Sequence, residues 1–295
     1  MNNSEFLTIK NDFLIVSITK IGAELCSIKK VDGNTEYMWD ANKDIWGSYA
    51  PVLFPIIGGL KNNQYTFERK EYSVTKHGFI RNNKNIVVKE HSENSITFLY
   101  KYNEETLKNY PFEFEFQITY SLKNSTINID HKVINHGDND MYFSLGGHPA
   151  FKCPLHNNEN YEDYQLQFGH KETSNTHLLS SNGLLSGETK PLLINSDILL
   201  LKHSLFNDDA LIFKDLKSRK VNLVHKTKGS VLSVEFKDFN YLGIWAKPNG
   251  DFVCIEPWLG VTDNENTNGD FKTKEGIQIL HSKKDFFASY RLKIN

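Results

Sequence analysis

The stretch Phe112-Glu113-Phe114-Glu115-Phe116-Gln117-Ile118-Thr119-Tyr120 alternates apolar and polar residues without a slip. Successive side chains of a strand point to opposite faces, so this period of two predicts a strand with one face buried and one wet. Working outward, residues 125–135 repeat the pattern, with Ile127, Ile129, His131 and Val133 on one face. Phe286, Ala288, Tyr290, Leu292 and Ile294 do the same at the C-terminal end. Shorter strand candidates lie at 6–9, 13–18, 95–100, 230–236, 241–246 and 252–256. Lys10-Asn11-Asp12, Asp32-Gly33-Asn34, Asn182-Gly183, Pro248-Asn249-Gly250 and Asn268-Gly269-Asp270 supply turn chemistry between them. Helical signal is confined to 103–109, halted by Pro111, and 41–46. Neither is long enough for a crossover between parallel strands. The expected fold is all-β, a large antiparallel β-sandwich with a few short helices. Without a linker or internal repeat, residues 1–295 read as one domain.

Composition narrows the function. The aromatic share of 13% suits half-buried pleated surfaces. With 34 basic against 36 acidic residues and no basic block, binding nucleic acid by phosphate neutralisation has little support. Only Arg69, Arg81, Arg219 and Arg291 are arginines, which makes each placement informative. Cys26, Cys153 and Cys254 form neither a CxxC pair nor a disulfide framework, and buried thiols in a reducing compartment are expected. Met1-Asn2-Asn3-Ser4-Glu5 lacks the basic and apolar regions of a signal peptide, and no apolar run approaches the ~20 residues of a membrane span. A cytoplasmic protein without membrane or nucleic-acid partners is expected; the oligomeric state is not legible.

Four segments carry polar chemistry that a plain sandwich does not require. In Ser144-Leu145-Gly146-Gly147-His148-Pro149-Ala150-Phe151, a strand through Tyr142–Gly146 would put Ser144, Gly146 and His148 on one face. The glycines there suggest close approach of a ligand to the backbone, and Pro149 ends the ladder. In Phe252-Val253-Cys254-Ile255-Glu256-Pro257-Trp258, Glu256 shares an apolar face with Phe252 and Cys254, and Pro257 is expected to stop the strand. A carboxylate so placed is partly desolvated, hence more basic, and needs a partner or a task. Trp258 beside it is of the kind that stacks on sugars. Lys76-His77-Gly78-Phe79-Ile80-Arg81 reads equally well as a surface turn with two exposed charges, and Asn207-Asp208-Asp209-Ala210 as a turn feeding a strand. His131, mid-strand on an apolar face, is expected to be a core or rim histidine.

Together these segments resemble the aldose 1-epimerase (galactose mutarotase-like) family, and most of all its LacX-like branch. The matching stretches are Ala50-Pro51-Val52-Leu53-Phe54-Pro55, His77-Gly78-Phe79-Ile80-Arg81, Gly147-His148-Pro149-Ala150-Phe151 and Cys254-Ile255-Glu256-Pro257-Trp258-Leu259-Gly260. Ile21-Gly22-Ala23-Glu24-Leu25 and Lys274-Glu275-Gly276-Ile277 also fit, so the likeness spans nearly the whole chain in order. The resemblance implies a β-supersandwich with an open cleft, Glu256 as catalytic base and His148 as catalytic acid. It implies that His77, Arg81 and Asp209, with Asp208 adjacent, contact sugar oxygens. One departure is Gly59, where several relatives carry an arginine.

Anomer exchange needs a base on the C1 hydroxyl and an acid on the ring oxygen, each typically contributing ~10²–10⁴-fold. The expectation is an ionised Glu256 and a protonated His148 whose pKa the carboxylate raises. No cofactor or metal is called for, and the expected partner is a small sugar or sugar phosphate. The rival from another class is a non-catalytic carbohydrate-binding protein. A glycosidase pairing Asp209 with Glu256 needs a carboxyl separation that sequence does not show. A metal enzyme using His77, His148 and Glu256 lacks HxH or HExxH spacing.

Overall fold

The quoted stretch enters the sheet at its third residue. In the computed structural model, which describes residues 5–295, strand Phe114–Lys123 pairs antiparallel with Ser95–Lys101 on one side and Thr126–Asn135 on the other. Thr126–Asn135 pairs in turn with Asp285–Ile294. Residues 1–4, most of the stretch on which the signal-peptide reading rests, lie outside the described residues. The inward face is apolar as expected: Phe114, Phe116, Ile118, Tyr120, Ile127, Ile129, Val133 and Leu292 are buried, each contributing roughly 1.5–3 kcal/mol of transfer free energy.

The expected wet face is a correction. Glu115 and Gln117 are buried too. Their strand is flanked on both sides, and long polar side chains of its neighbours lie across it. Lys101 reaches Glu115 at 2.8 Å and His136 at 3.3 Å, while Lys89 donates to Gln117 at 3.2 Å. Alternation reported the strand correctly but not what covers its polar side.

All ladders among the described strands are antiparallel, and 15 strands join one sheet. One end runs Val52–Leu53, Leu145–Gly147, Phe252–Leu259, Tyr241–Trp245, Leu211–Phe213; the other runs Asp285–Ile294, Thr126–Asn135, Phe114–Lys123, Ser95–Lys101, Val87–His91. Tyr164–Leu179, Lys220–His225 and Gly229–Glu235 connect them. The two ends face each other across the core. A Cβ on Gly147 would lie 2.6 Å from the Tyr290 hydroxyl, the Phe54 and Phe116 rings are 5.0 Å apart, and those of Phe143 and Phe286 are 5.2 Å apart. This is the two-layered sandwich that the patterning predicted.

The two short helical segments are as expected: residues 41–46 form a single hydrogen-bonded turn, with Trp46 N donating to Asn42 O at 2.8 Å, and the helix at Glu104–Asn109 is capped by Asn103. Two local readings change. The Tyr142–Gly146 strand is two strands, Met141–Phe143 and Leu145–Gly147, with Ser144 between them donating its N–H to Pro55 O. The hairpin of Tyr164–Leu179 and Leu185–Leu200 was not foreseen. Its inward positions include Glu172, Ser174 and Thr176, buried and hydrogen-bonded to Ser218, Asp215 and Ile212, so hydrophobic alternation is masked. All three cysteines are buried and unpaired, and no described helix is long and apolar enough to cross a membrane.

Candidate functional site

The floor of the site is strand Phe252–Leu259, every residue of it buried. It runs on through Pro257, contrary to expectation. Ile255 donates its N–H towards Pro149, and Pro257, two residues on, would aim its missing N–H to that same side. There the neighbouring strand is interrupted: Leu145–Gly147 pairs at residues 258–259 and Ala150–Lys152 at 252–254. Pro149, which has no N–H to give, lies between them and accepts from Ile255. His148 sits in that interruption, its backbone N–H on Pro51 O, and its Nε2 lies 3.3 Å from Glu256 Oε2. Cys254, Glu256 and Trp258 alternate on the same face of the floor.

One wall is the 77–81 segment. His77 has φ 66°, a left-handed backbone rare for a non-glycine residue. It is held there by exchange with Gly58: His77 N donates to Gly58 O at 2.8 Å, and Gly58 N donates to His77 Nδ1 at 3.2 Å. Nδ1 is therefore the acceptor, and Nε2–H is left to donate. Gly78 follows at φ 79°, where a Cβ would lie 2.0 Å from Phe54 O, so only glycine passes this point. Gly22 lets the 21–25 segment close on the Arg81 backbone, where a Cβ would stand 2.4 Å from Arg81 O. Glu24, two residues on, accepts from Tyr49 N and Ala50 N. The Ile21–Leu25 motif thus positions Arg81 from behind. A buried ion pair, Lys274 Nζ to Asp263 Oδ1 at 2.6 Å, anchors the turn that places Thr262 against Gly59 and Gly183.

These elements enclose a cavity of about 310 Å³, lined among others by Trp46, His77, Arg81, His148, Asp209, Trp245, Glu256 and Trp258. That is the small end of the about 300–1,000 Å³ range of ligand pockets, suited to a monosaccharide. Arg81 Nε, His148 Nδ1, Glu256 Oε2 and Trp258 Nε1 are buried without a hydrogen-bond partner. Leaving such groups unpaired costs about 1–3 kcal/mol each, more when charged, and all four belong to residues lining this one cavity, which points to a polar ligand.

Both pKa shifts in the protein alone run against the expected charge state, an ionised Glu256 and a protonated His148. Burial, reinforced by Arg81, pushes the His148 imidazole down to about 3. Burial holds the Glu256 carboxyl well above 4.5, against the opposing pull of Lys76 and Arg81. Desolvation outweighs the attraction of two charges 3.3 Å apart, because both groups lose their water and neither gains a full set of hydrogen bonds. The empty pocket favours a neutral pair holding one proton. His77 is likewise neutral, pushed well below 6.5 by burial and by His148.

Glu256, His148, His77, Arg81, Asp209 and Trp258 all line this one cavity. His77 is buried; Asp208 and Asp209 are both exposed, Asp209 (φ 75°) lining the cavity and Asp208 lying 4.0 Å from Lys190. Two expectations are corrected. Gly146 does not make way for a ligand; a Cβ there would meet Ile57 and Trp258 at 2.8 Å, and Gly147 makes way for Tyr290. Trp258 is 5% exposed and packed among Leu53, Ile57 and Ile212, so it offers the cavity no open stacking face. The other aromatic walls of the cavity are Trp46, which lies on His148 with ring centres 5.0 Å apart, and Trp245, edge-on to His148 at 5.7 Å. Sequence reasoning missed both. The usable signal was rarity, since three of the four tryptophans line the cavity. Lys76, Lys247 and Thr262 were also missed. At position 59 a Cβ would meet only Leu184 and Thr262 at 3.7 and 3.9 Å, so a side chain is sterically admissible there; Lys76 and Lys247 bring other cations to the cavity.

Known proteins were compared with this geometry. A family model described as aldose 1-epimerase matches residues 5–276. Protein LacX (plasmid) of Lactococcus lactis subsp. lactis is 38% identical over 265 residues, covering 87% of this chain and 88% of that one. The structure of a galactose mutarotase related enzyme from Lactobacillus acidophilus superposes with a TM-score of 0.93 at 38% identity, covering 98% and 97% of the two chains. A galactose mutarotase-like protein from Lactobacillus casei ATCC 334 gives 0.92 at 28% identity, covering 98% and 100%.

Proposed function

The chain belongs to the aldose 1-epimerase family, and from that premise we propose that it interconverts the α and β anomers of an aldose, with Glu256 and His148 as the proton-transfer pair. The single observation that carries the reading is the 3.3 Å approach of His148 Nε2 to Glu256 Oε2 on the floor of a monosaccharide-sized cavity. In this reading His77 Nε2–H, Arg81 and Asp209 contact sugar hydroxyls, with Trp46 and Trp245 as apolar walls, supported by their shared lining of the cavity.

The chemistry uses one proton. In the reactive arrangement it rests on His148, and Glu256 is ionised. Glu256 takes the C1 hydroxyl proton, the O–H electron pair becomes the C1 carbonyl bond, and the C1–O5 pair leaves on the ring oxygen, which takes its proton from His148. This turns the charged pair into the neutral one that burial favours, so ring opening discharges the floor of the cavity. Sugar hydroxyls bonded to both groups offset the cost of charging them beforehand. After rotation about C1–C2 the transfers reverse. The pair titrates as a unit. It gains a second proton only near the depressed His148 value of about 3, and loses its last proton only above the raised Glu256 value. The pH–rate profile should therefore be a bell with a broad top.

The test is exchange NMR of anomer interconversion across free aldoses. Acceleration of at least one supports the reading. Binding without acceleration would leave the non-catalytic carbohydrate-binding alternative. A phosphorylated aldose is the second reading, favoured by Lys76, Arg81 and Lys247 around one cavity. Faster exchange of a hexose 6-phosphate than of its free hexose supports it.

A further inference from the structure

We propose that His148, Cys254 and Glu256 form a binding site for a soft divalent cation, zinc being the type case, and that the ion blocks the site by taking the proton-transfer pair as ligands. Among the described residues these three bring one ligand atom each to within 4.8 Å of one another. Cys254 and Glu256 do so because they are two apart on one strand, and His148 because the ladder opens beside them. Zinc bound at ~2.0–2.3 Å in tetrahedral geometry holds its ligand atoms roughly 3.3–3.6 Å apart, so the His148–Glu256 pair at 3.3 Å already has that spacing. The thiol has about 1 Å to close. His148 and Glu256 line the cavity, from which a fourth ligand would come.

Charge and chemistry select the ion. A dication with one thiolate, one carboxylate and a neutral imidazole is neutral overall, the condition a dry floor demands. Glu256 Oε2 is buried with no well-formed hydrogen bond, so a cation there would satisfy it. Binding releases two protons, one from the thiol and the one shared by His148 and Glu256. Sulfur and imidazole favour zinc, cadmium or cobalt over magnesium or calcium. His148 Nδ1 has no acceptor to orient it as resident zinc sites provide, so binding is reversible and inhibitory in character. Ligation stands on this geometry alone; the inhibition rests on the mutarotase reading.

The experiment titrates chelator-treated full-length protein with Co²⁺ and then displaces it with Zn²⁺. The expected result is one equivalent of cobalt, tetrahedral d–d bands and a sulfur-to-cobalt charge-transfer band. Cys254→Ala should lose the charge-transfer band and bind zinc about tenfold or more weakly, and Glu256→Gln should weaken it similarly with the thiol band retained. Absence of the charge-transfer band in the wild type overturns the proposal. So does a band or zinc affinity unchanged in Cys254→Ala; should that variant misfold, an unchanged zinc affinity in Glu256→Gln serves the same end. The ratio of anomer-exchange rates with and without zinc should fall in the wild type and recover with chelator. If no aldose is turned over at all, the mutarotase reading fails while the optical titration still decides the site.

Discussion

His131 and His148 are both buried imidazoles, and burial depresses both, to about 4 and about 3. Their surroundings differ completely. His131 sits inside the regular sheet among Phe116, Phe239 and Tyr290, with ring centres 5.9–6.2 Å away. His148 sits where a ladder is broken, against Glu256 and His77, with a cavity in front. The same desolvation makes one a structural liability and the other a reagent. A perturbed pKa therefore does not mark a site, nor does an unpaired ring nitrogen, which His131 has too; a cavity shared with other polar residues does.

The comparison breaks most directly on activity. Glu256→Gln and His148→Gln should each lower anomer exchange by about 10³-fold with the fold retained, measured by exchange NMR. His131→Leu should leave the rate within a few-fold, and an equal loss there would erase the distinction. Next in size is acid stability. The unfolded chain binds a proton at residue 131 below the ordinary 6.5, the folded chain only below about 4. The resulting stability is complete above pH 6.5 and drains as pH falls towards 4, by roughly 3 kcal/mol. Denaturant titrations at pH 7 and pH 4.5 should show His131→Leu losing less than the wild type across that window. Gly243→Ala would place a Cβ 2.4 Å from the Trp258 ring and should cost about 2 kcal/mol, also lowering activity, because that ring packs beside Glu256 on the floor. Smallest is the pair of neighbouring aspartates: Asp209→Ala should raise KM about tenfold and Asp208→Ala should not change it, in steady-state assays.

The strands were legible wherever alternation is hydrophobic, as at 114–120, 127–133 and 286–294. They were hidden at 164–200, where buried Glu172, Ser174 and Thr176 find hydrogen-bond partners far along the chain. Of the site, Glu256 and His148 were readable because a polar residue beside proline in an apolar run breaks a local rule. Trp46, Lys76, Lys247 and Thr262 break none, so only proximity reveals them.

From its own order of residues the chain determined the class of fold, the absence of a CxxC pair and the two side chains of greatest chemical interest, because strand period and local rule-breaking are properties of neighbours in sequence. Tertiary structure alone decided that Gly146 and Gly147 make room for Ile57, Trp258 and Tyr290, that Trp258 is packed away and that burial pushes the Glu256 carboxyl up and the His148 imidazole down. Those outcomes depend on what packs against each group from remote segments, and desolvation is a property of the whole enclosure that no local pattern encodes.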